Sequence, residues 1–368
     1  MFRGLQFSDI FGKNQTRRKV IKSAGVGIAA MSIPGVSAAR KTTERAKEKL
    51  EKEFQKLVKK HGKPSIERMT VISDGETILF NEKHKQKVSS VKSEGYDTIQ
   101  VETIQFNDGY STTLISAISN QEVLVLFGRK RFRFVLTDEM VQTAKSSSQE
   151  NLRKIEEKSS ANTAVTTASS LPSLAKGEGL SIGTASGGNS RYLGTTNPVT
   201  APAASKYNVG DNKVGSAVSA RYASYNAGAY AKVYQDVKIE DSGTIEISFN
   251  GVLNGIITAV IADATLEFNG YIKEKGTDSK KRHEIIDMSK IAEARSINKQ
   301  YSPSNPGPGG NSGSLFRNVE PGTYEIGIEL KTIITAISVS AATINFYPNF
   351  STFDFNNYCN YNYISVDF

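Results

Sequence analysis

The sequence predicts a mainly β protein: a C-terminal antiparallel β-sandwich with an internal hairpin repeat, preceded by a small α+β domain and a flexible linker. Three observations predict it. The string Gly243-Thr-Ile245-Glu-Ile247, then Ile256-Ile257-Thr258-Ala259 and Ala264-Thr265-Leu266-Glu267-Phe268, returns in the same order as Gly322-Thr-Tyr324-Glu-Ile326, Ile333-Ile334-Thr335-Ala336 and Ala342-Thr343-Ile344-Asn345-Phe346. In the second copy Tyr324, Ile326, Ile328 and Leu330 alternate with Glu325, Glu329 and Lys331, the period of two that gives a strand one buried and one wet face. Between Ser159 and Asn212 the composition turns to Ser, Thr, Ala, Gly and Pro, which bury too little apolar surface to offset the entropy of ordering. Read as two copies of one long β-hairpin, the repeats press their apolar sides together, and a sandwich is the economical result.

The chain begins with a different kind of signal, assigned to residues 1–38. Thr16-Arg17-Arg18-Lys19-Val20-Ile21-Lys22 precedes a weakly apolar run from Ser23 to Pro34 and the small residues Val36-Ser37-Ala38. That run is too short and mild for a membrane span, which needs roughly 20 apolar residues, and it has the length of a signal-peptide apolar region. The string resembles twin-arginine (Tat) export signals, whose pattern is Ser/Thr-Arg-Arg-x-Phe-Leu-Lys. Thr16, Arg17, Arg18 and Lys22 match it, and Val20 and Ile21 stand where the family has Phe and Leu. The resemblance implies cleavage after Ala38, the Tat translocase and signal peptidase as partners during export, and a secreted or cell-surface protein with no stable membrane span after cleavage. It also implies cargo that folds before crossing.

Charge follows from the same segment. The 368 residues carry a formal charge of +9, with one Cys and no Trp. Six basic residues and one acid precede Arg40, so removing the leader lowers the charge to +4. A nucleic-acid partner is not demanded, because a strong phosphate binder would keep a concentrated basic face. A single cysteine, Cys359, excludes a disulfide scaffold. Three scattered histidines and one cysteine offer no HExxH, CxxC or paired-histidine spacing, so no metal or cofactor site is assigned.

Residues 39–158 read as the small α+β domain. Ala46, Leu50, Phe54, Leu57 and Val58 recur at helical spacing from Lys41 to Lys60, and His61-Gly62-Lys63-Pro64 ends that helix. β-type runs follow at 69–72, 77–80, 99–106, 111–118, 123–127 and 132–136, with Asn107-Asp108-Gly109 as a hairpin turn. A polar helix from Asp138 to Lys158 closes the domain. Arg129, Arg131 and Arg133 share one face of a strand and Phe132 and Phe134 the other; the arginines are a candidate contact for an anionic polymer, set against a plain amphipathic strand.

The linker is assigned to 159–212, the sandwich to 213–350 and an aromatic, Asn-rich tail to 351–368. Ser302 to Gly313, rich in Pro and Gly, reads as a flexible loop. It contains Gly310-Asn311-Ser312-Gly313-Ser314, similar to the nucleophile segment of trypsin-like serine proteases, which makes Ser312 the weak catalytic candidate. None of His61, His84 and His283 has the surroundings of a catalytic base. In the tail, Tyr358, Tyr361 and Tyr363 alternate with Asn, Asp and Ser, suited to stacking on sugar rings, or else to a last buried strand. The favoured function is a non-catalytic exported surface or secreted protein whose sandwich binds an envelope glycan or another protein. It resembles, in layout, uncharacterised Tat-exported prokaryotic and archaeal surface proteins. The alternatives are a secreted precursor cut in the linker, similar to archaeal peptide-antibiotic precursors, and a serine hydrolase.

Overall fold

The helix-spaced apolar stripe does form a helix: α1, Pro34–His61, buries Leu50 and Phe54. It stops at Gly62, whose φ of +86° suits glycine and whose N–H bonds the Val58 carbonyl at 2.9 Å. The structure is a computed structural model describing residues 34–159, 171–193, 203–221, 226–291, 293–337, 341–346 and 357–368. Thr16, Arg17, Arg18 and Lys22 lie outside the described residues, and Ala38 falls within α1.

After α1 come β1 (Pro64–Ser73), β2 (Glu76–Leu79), α2 (Lys85–Ser93), β3 (Thr98–Phe106), β4 (Ser111–Ser119), β5 (Glu122–Phe127), β6 (Lys130–Val135) and α3 (Asp138–Ser159). The strands form an antiparallel sheet in the order β2-β1-β3-β4-β5-β6. One face carries Ile104, Leu114, Val125 and Phe127 under Leu50 and Phe54, and the other carries Ile99, Val101 and Leu124 against Val88 and Val91 of α2. The sequence reading missed α2, because nine residues with two buried valines present too short a period to register.

The remaining strands are β7 (Ser173–Leu174), β8 (Gly179–Ile182), β9 (Gly187–Leu193), β10 (Ala203–Asn208), β11 (Lys213–Arg221), β12 (Asn226–Ile239), β13 (Gly243–Ala259), β14 (Ala262–Glu274), β15 (Lys280–Lys290), β16 (Glu293–Tyr301), β17 (Leu315–Val319), β18 (Gly322–Ala336), β19 (Ala341–Phe346) and β20 (Tyr358–Asp367). They build a sandwich. The front sheet runs β10-β11-β19-β13-β20-β8, with β16 and β17 also on β13; the back sheet runs β15-β14-β18-β12-β7, with β9 also on β12. Ile247, Phe249 and Leu253 from the front meet Phe268, Ile328 and Leu330 from the back in the core between them.

The repeat copies meet, but each is an arch and not a hairpin. β13 lies in the front sheet and β14 in the back, while β18 lies in the back and β19 in the front. Strands of one copy therefore face each other across the core, and hydrogen bonds run between copies. β14 pairs with β18 from Ala262 opposite Ala336 to Glu274 opposite Tyr324, and β13 pairs with β19 from Ile256 opposite Asn345 to Ala259 opposite Ala342. The link Val260-Ile261 explains the difference: it is fully buried and lacks the Gly or Asn of a tight hairpin turn. Both residues enter the apolar cluster of Leu50, Phe54 and Phe127, and Ile337, whose N–H bonds the Ile261 carbonyl at 3.1 Å, packs there too. Each fully buried aliphatic side chain contributes about 1.5–3 kcal/mol, so the small domain and the sandwich stabilise one another.

Two expectations about irregular chain need correction. The described part of the segment read as a linker belongs to the sheets: β7 and β9 pair with β12, β8 with β20 and β10 with β11. A strand needs backbone partners more than large side chains, and small residues let it come close. A Cβ at Gly187 would lie 2.6 Å from the Tyr234 ring. The 302–313 loop is likewise pinned to β15. Gly309, at φ +73°, bridges Ile286, and a Cβ there would strike the Asp287 carbonyl.

Candidate functional site

The structure does not assemble a serine-hydrolase site. Ser312 is exposed on the pinned loop, and no hydrogen bond joins it to a histidine among the described residues. His61 Nδ1 pairs with Asp108 at 2.6 Å, and His84 lies between the Thr70 and Thr103 hydroxyls at 2.9 and 2.8 Å. His283 comes nearest in the chain's path. Its ring stacks on Phe249 at 6.2 Å and is hydrogen-bonded to the Asn311 backbone; burial pushes its pKa down. Arg131 and Arg133 do share the outer side of β6, but both grip Glu94, Arg133 at 2.7 Å, while Phe134 is buried opposite them. Arg129 lies in the preceding turn and outside the strand. Among the described residues no group of three or more His, Cys, Asp or Glu could hold a metal ion.

The tail tyrosines separate by one structural event. Tyr361 is wholly buried in the sandwich core, and burial pushes its phenol pKa upward. It therefore contacts no ligand, which corrects the expectation. By strict alternation Tyr363 should share its fate. Instead the register of β20 on β13 shifts: Gly251 faces Tyr361 and Asn250 faces Tyr363, leaving Asn362 as the extra residue of a β-bulge. Bulges re-aim side chains, and this one turns Tyr363 outward, 46% exposed.

Around Tyr363 and Tyr358 the outer face of the front sheet is polar and rich in side-chain amides. Tyr358 stands opposite Asn254, which faces Asn298 on β16, and Asn360 stands opposite Val252, which faces Gln300. Asn250 and Asn254, the partners of the two tyrosines, are four residues apart, about 13 Å along an extended strand. Lys213 lies 4.9 Å over the Tyr358 ring, so Tyr363 is the more open platform. No alternation pattern could have found this split, because a bulge shows only in pairing.

The outer face of the back sheet is charged, and its central carboxylates are buried. Glu329, 0% exposed, accepts from Lys280 Nζ, from Arg282 Nε at 2.6 Å and from the Tyr230 hydroxyl at 3.2 Å, with Lys331 at 3.9 Å. Burial alone would raise its pKa, but Lys280, Lys331 and Arg282 override that and hold the carboxyl well below the usual carboxylate range. Lys232 pairs with Glu325 at 2.8 Å and lies 4.7 Å over Tyr234; Lys280 lies 4.4 Å over Tyr271. The alternation along β18 places Glu325, Glu329 and Lys331 on a wet face. The period of two identifies a second face but says nothing about what covers it, and α3 covers part of this one: Leu152 and Ile155 pack on Tyr230 and Ile333, and Ser148 Oγ donates to Thr335 Oγ1 at 2.7 Å.

No protein-family model matches the chain, and no curated protein matches it. Among solved structures, a family 11 carbohydrate-binding module from Clostridium thermocellum in complex with a β-1,3-1,4-mixed-linked tetrasaccharide is 13% identical, covering 49% of this chain and 88% of its own at a TM-score of 0.18. TmCBM61 in complex with β-1,4-galactotriose is 12% identical, covering 44% of this chain and 87% of its own at a TM-score of 0.16. The enzymatically active domain of bacteriophage CBA120 tailspike protein 4 is 12% identical over 48% of this chain at a TM-score of 0.17, and only 19% of that protein is spanned. Overlaps this partial say nothing about a ligand.

Proposed function

We propose that the chain is an exported, non-catalytic binding protein whose front sheet takes up an extended envelope glycan. The observation that carries the reading is the bulge at Asn362, which turns Tyr363 out onto a face of asparagine and glutamine side chains. Amides donate and accept, so they match sugar hydroxyls, and a tyrosine ring offers the flat apolar surface that a sugar's C–H face stacks on. The twin-arginine string supports export, through the Tat translocase and signal peptidase.

Affinity electrophoresis through gels containing neutral polysaccharides tests the binding half. Mixed-linked β-glucan and galactan are the first probes. Retardation should be lost in Tyr363→Ala and reduced in Tyr358→Ala; equal retardation of wild type and Tyr363→Ala would remove this face from the account. Fractionation of cells producing the wild type and the Arg17-Arg18→Lys-Lys variant tests export, which should fail in the variant alone.

A further inference from the structure

The back sheet holds a cleft that the front-sheet reading does not use. It encloses about 360 Å³, at the small end of the roughly 300–1,000 Å³ typical of ligand pockets. Leu152 and Arg153 of α3 form one wall, so the small domain helps build it, and Asn311 of the pinned loop lines it as well. In its floor lies Asn269, with Glu329 opposite on β18 and Glu284 opposite on β15.

Asn269 is 3% exposed, and its side chain makes no hydrogen bond among the described residues. Its amide is not one of the buried atoms cut off from any partner, so it reaches the cleft, where a ligand hydroxyl can take the place of water. The charges that line the cleft balance as a set, Arg153, Arg282 and Lys331 against Glu267, Glu284 and Asp287. Lys331 bonds Glu267 at 3.2 Å, Arg282 bonds Glu329, and Glu284 accepts from Asn311 Nδ2 at 3.1 Å. A net-charged ligand would upset that balance. An uncharged polyol would not: its hydroxyls can accept from the Asn269 amide and donate to its carbonyl and to spare lone pairs of Glu284, while Leu152 meets its C–H edge.

We propose that this cleft is a second binding site, for a single unit of an uncharged sugar, with Asn269 as its central contact. It shares a ligand class with the front sheet but no residue. The side-chain amide resonances of Asn269, assigned by their absence in Asn269→Leu, are followed while glucose, galactose, xylose and cellobiose are titrated into the full chain, with galacturonic acid and glucosamine as charged counterparts. One of the neutral sugars should shift those resonances. Its calorimetric affinity should fall at least tenfold in Asn269→Leu and remain unchanged in Tyr363→Ala. If Asn269→Leu does not fold, Glu284→Gln carries the same comparison. Amide resonances that no neutral sugar moves would mean water serves Asn269 and would overturn the proposal, as would tighter binding of either charged sugar.

Discussion

The two outer faces of the sandwich are built from the same kind of strand and differ in almost everything else. On the front, Asn298, Gln300 and Tyr363 are exposed and carry no charge; on the back, Glu329, Lys331 and Lys232 are buried and paired. Removing a charge from water costs several kcal/mol per ion unless partners are held in place. The back face therefore demands a fixed geometry, supplied by ion pairs across strands and by α3, whereas the front face is free to meet a ligand without losing stability.

The largest test of that contrast breaks the buried network. Glu329→Ala should cost about 3–5 kcal/mol, since it strands cations in a buried site, whereas Asn298→Ala on the front should stay within about 0.5 kcal/mol. Urea unfolding of the two variants measures both, and equal losses would erase the distinction. Next is the arch corner that joins the domains. Ile261→Ala should cost about 2–5 kcal/mol and lower the unfolding midpoint of small domain and sandwich together; two separate transitions would show that the shared core does not couple them. By the same argument, cutting the chain between α3 and β7 should leave both fragments in one gel-filtration peak, which the precursor alternative does not predict.

Acid sharpens the comparison. Glu329 titrates below the ordinary carboxylate value of 4.5, so its contribution is intact above that pH and fades only below it. Buried His84 in the small domain behaves oppositely. Burial, then Lys87 and Arg68, lower its pKa from 6.5 to about 4, so the unfolded state takes up a proton that the folded state refuses, and stability falls as pH drops through that window. The loss reaches up to about 3 kcal/mol. Protection against hydrogen exchange, corrected for the intrinsic rate, should therefore fall at pH 5 in β1 and β3 before it does around Glu329, and His84→Gln should flatten the difference. The smallest effect expected is on stability in Tyr363→Ala, under about 0.5 kcal/mol, beside a clear loss of polysaccharide retardation.

What the sequence disclosed follows the same division. The duplicated strings were legible because alternation along β13 and β18 is strict, and helix α1 because its apolar spacing is long enough to count, while α3 read only as a polar helix. Arch and hairpin share one period, so only the turnless link Val260-Ile261 hinted at the difference. The buried back face was illegible, since Glu325, Glu329 and Lys331 look like any solvated stripe until α3 is placed. Simple alternation buries Tyr361, and the extra residue Asn362 then turns Tyr363 to the other face, a split no period could show.

Strand β20 sits inside the front sheet, hydrogen-bonded to β13 on one side and to β8 on the other. During synthesis β13 and β8 leave the ribosome long before it, with a gap between them that no earlier segment fills. The sheet can close only once residue 367 is available, so this fold matures after translation of that segment and not progressively. Until then the chain presents unpaired strand edges that other polypeptides could capture.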